Sequence, residues 1–152
     1  MYKKILVPLD GSELSECVLD HVTAIATGCR IPEVILLTVM ELVSQQVYAE
    51  LGEQLARDIQ NKARVDVNNY LLKVADSLKK DGLVVQTAVI SGKATEEILD
   101  YANKNQVDLI VMSTHGRSGI SRWAFGSVAD RVLRHSRVPV LTVSPAGCRS
   151  GQ

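Results

Sequence analysis

The sequence predicts an α/β fold, a five-stranded parallel sheet with helices on both faces. Three observations carry this. Five short apolar runs, Ile5–Leu9, Val34–Met40, Val84–Ile90, Leu109–Met112 and Val140–Val143, are mostly rich in Val, Ile and Leu without strict alternation, as strands buried on both faces are. Between them lie stretches with apolar residues at helical spacing, and strands alternating with helices imply a parallel sheet. The 152 residues, 46% apolar and 22% charged, suit one globular domain with a sizeable core. We expect that domain over residues 1–145 and a flexible polar tail over 146–152.

The first strand ends in Pro8-Leu9-Asp10-Gly11-Ser12. Pro8 offers no amide to a ladder, which suits a strand end better than its middle. Leu14, Cys17, Val18, His21, Val22 and Ile25 then recur at helical spacing, with Gly28 as the expected stop. After the second strand, residues 41–50 read as a mobile connection. Leu55, Ile59, Ala63, Val67, Leu71, Val74 and Leu78 form a long helical stripe ended by Gly82. Thr95 is the expected cap of the next helix, with Ile98, Ala102 and Tyr101 toward the sheet. Val128, Val132 and Leu133 mark the last helix before the fifth strand. Right-handed crossovers leave the orders 3-2-1-4-5 and 2-1-3-4-5 open.

Composition excludes several function classes. Lys plus Arg total 17 and Asp plus Glu total 17, so the chain has no long-range field for nucleic acid or an anionic membrane. The apolar run at Ile5 is too short for a signal peptide or a membrane span. Three cysteines, Cys17, Cys29 and Cys148, form an odd set without ligand spacing. They argue against a disulfide framework and for a reducing, cytoplasmic compartment. Cys17 reads as a small core hydrophobe. His21 and His135 fall on separate helices, so no histidine-based metal cluster is expected.

Ligands in open parallel sheets bind beyond the carboxyl ends of the strands. After the first strand, Asp10 places a carboxylate there, suited to ribose hydroxyls or to a phosphate-bridging metal. Alternatively, Asp10 and Ser12 simply make a turn and cap the first helix. After the fourth strand comes Ser113-Thr114-His115-Gly116-Arg117-Ser118-Gly119, and nine residues separate Gly116 from Gly126-Ser127 at the last helix. Glycines let backbone approach a ligand, successive amides form anion-binding hollows, and a helix start offers donors and partial positive charge. Arg117 and Arg122 can add charge. Taken together, these features point to a phosphate site. Taken singly, the glycines read as a flexible connection and Ser127 as a plain N-cap. No G-x-x-x-x-G-K-[ST] run and no G-x-G-x-x-G after the first strand exist, which argues against a P-loop or a usual dinucleotide site.

Ile5-Leu6-Val7-Pro8-Leu9-Asp10-Gly11-Ser12, Met112-Ser113-Thr114-His115-Gly116-Arg117-Ser118-Gly119 and the run from Gly126-Ser127-Val128-Ala129 through His135 to Pro139-Val140-Leu141 resemble the universal stress protein family. The resemblance spans about residues 2 to 144. It implies a Rossmann-like three-layer α/β/α fold with strand order 3-2-1-4-5 and, in the ATP-binding branch, a G-x2-G-x9-G-[ST] pattern. Gly116, Gly126 and Ser127 match its later part, but Ser113 stands in place of the first glycine. A first position that needs positive φ would be strained by serine; one that needs only a small residue would accept it.

The resemblance further implies an adenine nucleotide, ATP with Mg²⁺. Pro8, Leu9 and Asp10 would flank the adenosine, with Asp10 at the metal. Val39 and Met112 would line the base pocket. Gly116, Arg117, Gly126 and Ser127 would hold the phosphates, and Ser113, His115, Gly119 and Val128 complete the expected nucleotide-binding set. For Val39 and Met112 the alternative is core packing, and for His115 a loop-structuring role. The resemblance also implies a homodimer through Val138–Val143, an apolar strand whose open edge needs a cover. Three functions are expected from these features: a dimeric ATP-binding stress-response regulator acting on a protein partner, a dimeric scaffold of the same fold that binds no nucleotide, or a slow ATP hydrolase.

Overall fold

The computed structural model describes residues 1–115 and 125–144. Its elements run β1 (Lys4–Pro8), α1 (Glu13–Glu16), α2 (Leu19–Gly28), β2 (Glu33–Met40), α3 (Gln45–Leu51), α4 (Glu53–Lys80), β3 (Val85–Ser91), α5 (Ala94–Lys104), β4 (Leu109–Ser113), α6 (Ser127–His135) and β5 (Val140–Val143). The strands form one sheet in the order β3-β2-β1-β4-β5, and every pairing is parallel. The order 3-2-1-4-5 is therefore the one adopted.

The pleat divides the apolar runs between two layers, because successive side chains point to opposite faces. Ile5, Val7, Val34, Leu36, Leu109 and Val111 pack with Val18, Val22 and Ala26 and with Leu71, Ala75 and Leu78 of α4. Leu6, Ile35, Leu37, Ile110 and Met112 pack with Ile98 and Ala102 of α5 and Ala129 and Val132 of α6. The strands lack alternation because both faces are covered. No helix among the described residues is long and apolar enough to cross a membrane.

Several local expectations are corrected. The first helical stretch is two pieces, α1 and α2, separated at Cys17-Val18. α2 stops at Gly28 as expected, and the positive φ, 52°, falls on Arg30. α3 begins within residues 41–50, started by Ser44, whose hydroxyl accepts from the Val47 amide. Thr95 does not cap α5: Lys93 holds the cap position, and Thr95 lies inside the helix. The long stripe is buried only in its second half. Leu55 and Ile59 are exposed, and Ala56 is the residue buried in the first turns, because those two leucine-like positions lie to one side of the inward line. Gly82 ends α4 as expected, with φ 84°. Cys17 packs against the first layer, as a small core hydrophobe does; Cys29 is exposed and free. The expected tail, 146–152, lies outside the described residues.

Candidate functional site

The sheet reverses its winding at β1, since β2 and then β3 lie to one side and β4 and then β5 to the other. A crevice at the carboxyl ends of β1 and β4 follows from that topology. A cavity of about 640 Å³ occupies this place.

Three segments build its polar wall. Beyond β1, the Asp10 carboxylate accepts from the Ser12 amide at 2.9 Å and from the Ser12 hydroxyl. Ser12 in turn caps α1, its hydroxyl accepting from the Ser15 amide at 3.1 Å. The turn reading of Asp10 and Ser12 is thus realised, and it holds the carboxylate at the cavity. Behind this turn, the Tyr70 hydroxyl donates to Glu16 at 2.6 Å. Its pKa is pushed well above the ordinary tyrosine range, first by burial, then by the Glu16 hydrogen bond and charge and by the charge of Asp10, with Ser15 opposing.

At the end of β4, Ser113 pairs with Val143 as an ordinary strand residue. Among the described residues, the non-glycines with positive φ are Arg30 and Gln106. Serine therefore meets no backbone strain at this position. Its hydroxyl accepts from the His115 amide at 3.2 Å and lies 3.9 Å from Cys17 Sγ. Thr114 is buried, and its Oγ1 lies 2.7 Å from His115 Nδ1. The other ring nitrogen, His115 Nε2, is buried without a hydrogen-bond partner.

The third segment is the start of α6. Gly126 occupies the cap position with φ −60° and ψ 144°, and no side chain caps the helix. Its amide donates to the Thr114 carbonyl at 2.7 Å. A Cβ at Gly126 would stand 2.7 Å from that same oxygen. Glycine is required here by close approach between two backbones, not by positive φ. Asp130 is the first amide bonded back into the helix, to the Gly126 carbonyl at 3.0 Å. The amides of Ser127, Val128 and Ala129 precede it at the electropositive end, where helices receive anions. Ser127 is the first helical residue and not the N-cap.

Pro8, Leu9, Asp10, Val39, Met112, Ser113, His115, Gly126, Ser127 and Val128 all line this one cavity. Gly116, Arg117, Gly119 and Arg122 lie outside the described residues. Val39 and Met112 belong to the second core layer as well, so their packing role and their place at the cavity coexist. Sequence reasoning missed Thr38, Glu41, Thr114 and, from α4, Ala63 and Val67. The last two belonged to the long stripe read as core. Their spacing of four put them on one helix face, but nothing in the sequence said that this face overlies the strand ends. No group of three or more His, Cys, Asp or Glu side chains placed to hold a metal lies among the described residues.

Residues 1–144 match the model of the universal stress protein family. The chain belongs to the universal stress protein family. It is 33% identical to the universal stress protein MJ0577 of Methanocaldococcus jannaschii, over 94% of this chain and 95% of that one. It is 29% identical to the universal stress protein YxiE of Bacillus subtilis, over 94% and 99% of the two chains. The solved structure of MJ0577 superposes with a TM-score of 0.83, covering 100% of this chain and 99% of that one at 33% identity. At lower identity the fold alone is shared. A universal stress protein solved in complex with cAMP matches with a TM-score of 0.69 at 22% identity, over 94% and 97% of the chains. One from Arabidopsis thaliana with AMP bound matches at 0.62 and 17%, over 93% and 91%.

Proposed function

We propose that this universal stress protein is a regulatory module that binds an adenine nucleotide, ATP in the first instance, in the cavity at the ends of β1 and β4. The observation that carries the reading is that the uncapped start of α6 opens onto that cavity beside Asp10, Ser113 and His115. An anionic ligand answers its free amides. The residues fit the group: Pro8, Leu9, Val39 and Met112 offer apolar wall to a base, while Ser113, His115, Gly126, Ser127 and Val128 surround the phosphate end, with Gly116, Arg117 and Gly119 assigned there by the family pattern. Asp10 would hold Mg²⁺ together with the phosphates, since Mg²⁺ is commonly bound by one or two carboxylates plus phosphate oxygens. When bound, the ion would neutralise phosphate charge. The AMP and cAMP of the two structures of this fold agree with an adenine ligand.

The proposal includes one domain over residues 1–145 and a homodimer through Val138–Val143. In support, β5 lies at an edge of the sheet with Leu141 exposed. The opposite edge is treated differently: Arg64 of α4 donates to the Val89 carbonyl at 3.2 Å and to the Ser91 hydroxyl at 2.7 Å, a charged cover of the kind that blunts strand edges. Nucleotide occupancy would be read by a protein partner, with hydrolysis at most slow. Cytoplasmic placement is part of the reading.

A scaffold that binds no nucleotide is the second reading. It is favoured by Ser113, whose hydroxyl engages the His115 amide within the loop. Nucleotide content of freshly purified protein, released by denaturation and identified by mass spectrometry, separates the two. ATP or AMP near one per chain supports the first reading. An empty protein that also fails to bind millimolar ATP by calorimetry leaves the scaffold. A multiple-turnover assay at ~10 s⁻¹, an ordinary enzymatic rate, would show a true hydrolase instead.

A further inference from the structure

We propose that Thr38 is a positioning residue for the nucleotide site. Together with Ser15 it clamps the peptide unit between Leu9 and Asp10, and so sets the Asp10 carboxylate for the bound nucleotide. The inference rests on the nucleotide reading and adds to the same cavity two residues that the sequence pattern did not mark.

Burial is the first observation. Among the described residues the buried polar side chains are Ser15, Thr38, Ser113 and Thr114, and all four line this one cavity. A buried hydroxyl costs free energy unless it is hydrogen-bonded, and an apolar group of the same shape often serves stability as well. Their concentration in one place therefore points to a task there beyond holding the core together. Ser113 and Thr114 engage His115. Ser15 and Thr38 engage the segment that follows β1.

The second observation is what those two hydroxyls hold. β1 ends at Pro8, in register with Leu37, and the Leu9 amide still donates to the Leu37 carbonyl at 2.8 Å. The next two polar groups, the Leu9 carbonyl and the Asp10 amide, belong to one planar peptide unit. The Thr38 hydroxyl donates to that carbonyl at 2.9 Å. The amide donates to the Ser15 hydroxyl at 3.3 Å, which itself donates to the Ser12 carbonyl at 2.9 Å. A peptide plane held at both ends resists rotation, and the Ser12 amide, 2.9 Å from the Asp10 carboxylate, orients the side chain beyond it. Ser15 belongs to the same turn as Asp10. Thr38 belongs to β2, whose end at Val39, Met40 and Glu41 lines the cavity. Thr38 is thus the tie that registers Asp10 against the apolar wall at Val39. A group already held in its binding position loses less freedom when the ligand arrives, which raises affinity.

The test is a double-mutant cycle on calorimetric affinity for ATP with Mg²⁺, with weak binders followed by chemical shifts at millimolar ATP. Thr38→Val keeps the shape and removes the hydroxyl; Thr38→Ser keeps the hydroxyl. Asp10→Asn keeps an oxygen for Ser12 and removes the charge. Residues that act through one another give non-additive effects. Thr38→Val should weaken ATP about tenfold in the parent, the scale of one lost hydrogen bond to a charged group. It should change affinity less than about twofold in the Asp10→Asn background, and Thr38→Ser should bind nearly as the parent does. A merely structural role lowers affinity equally in both backgrounds, and that result overturns the inference. So does a Thr38→Val protein with parental affinity, or a Thr38→Ser protein as weak as Thr38→Val. Each of these leaves the nucleotide reading standing, whereas a parent that binds no ATP overturns both. Should Thr38→Val not fold, Ser15→Ala, which releases the other end of the same peptide, takes its place in the cycle with the same criteria.

Discussion

Gly126 offers the sharpest test of how the cavity is built. Its backbone lies in the extended region, at φ −60° and ψ 144°, which alanine adopts without strain. Conformational cost is therefore close to nil. The cost of Gly126→Ala comes from one contact: the new Cβ would sit 2.7 Å from the Thr114 carbonyl oxygen, well inside the ordinary carbon–oxygen separation. That oxygen is backbone, fixed beside the β4–β5 ladder by the Thr114 amide's bond to Val143 at 3.0 Å. It cannot swing aside as a side chain would. Either α6 moves away or the 2.7 Å bond from the Gly126 amide to Thr114 lengthens.

Overpacking of this kind costs about 1–3 kcal/mol. For a chain of this size each kcal/mol moves Tm by about 2–4 °C, so a fall of about 2–12 °C is expected by calorimetry. Gly28→Ala is the matched control. Its Cβ would meet nothing within 4 Å and its φ is not positive. As the last residue of α2, it should be neutral or stabilised by up to about 1 kcal/mol. A parental Tm for Gly126→Ala would refute the close approach of β4 and α6. A Gly28→Ala protein as damaged as Gly126→Ala would show that the loss is not specific to that contact.

Three further outcomes are expected. Leu71→Ala, at a fully buried position of α4, should cost about 2–5 kcal/mol in urea denaturation, while Leu55→Ala, 49% exposed on the same helix, should stay within about 1 kcal/mol; equal losses would refute the inward line of α4. Spectrophotometric titration should find Tyr70 ionising above the ordinary tyrosine range, because burial and Glu16 favour its neutral form. Since its folded pKa is raised, its contribution is intact below the unfolded value near 10 and lost as pH climbs through the folded one, and Tyr70→Phe should lessen that alkaline loss. If the proposed dimer forms through β5, Leu141→Lys on the exposed edge strand should turn it into a monomer in sedimentation velocity; an unchanged dimer, or a monomeric parent, would refute that interface.

The strands were legible because burial on both faces writes itself into composition: each apolar run falls within a residue or so of an observed strand. The helices were legible as faces but not as boundaries. α2 does stop at Gly28, yet the left-handed turn comes two residues later, at Arg30. Thr95 looked like a cap, yet Gly92, at φ 150°, brings the chain round early enough for Lys93 to take that position. α3 was missed because it buries no residue and so carries no apolar period. At the site, Asp10, Ser113 and Gly126 could be named from position after a strand or before a helix. Ala63 and Val67 could not, since which helix face overlies the strand ends depends on where α4 crosses the sheet, a tertiary fact.

Ser113 shows why a motif needs its physical reason. In the pattern it replaces a glycine, and from residue type alone the replacement reads equally as strain or as tolerance. The backbone decides for tolerance, because β4 continues through Ser113 in register with Val143. The side chain then adds something glycine lacks, a hydroxyl that accepts the His115 amide at 3.2 Å. That bond orients the residue whose Nε2 is left without a partner. On the nucleotide reading, serine exchanges one backbone donor for a better-held imidazole. Ser113→Gly should then loosen the His115 ring, so ATP affinity measured by calorimetry should fall. A variant that binds ATP as the parent does would separate the two residues and leave Ser113 a passive substitute for glycine.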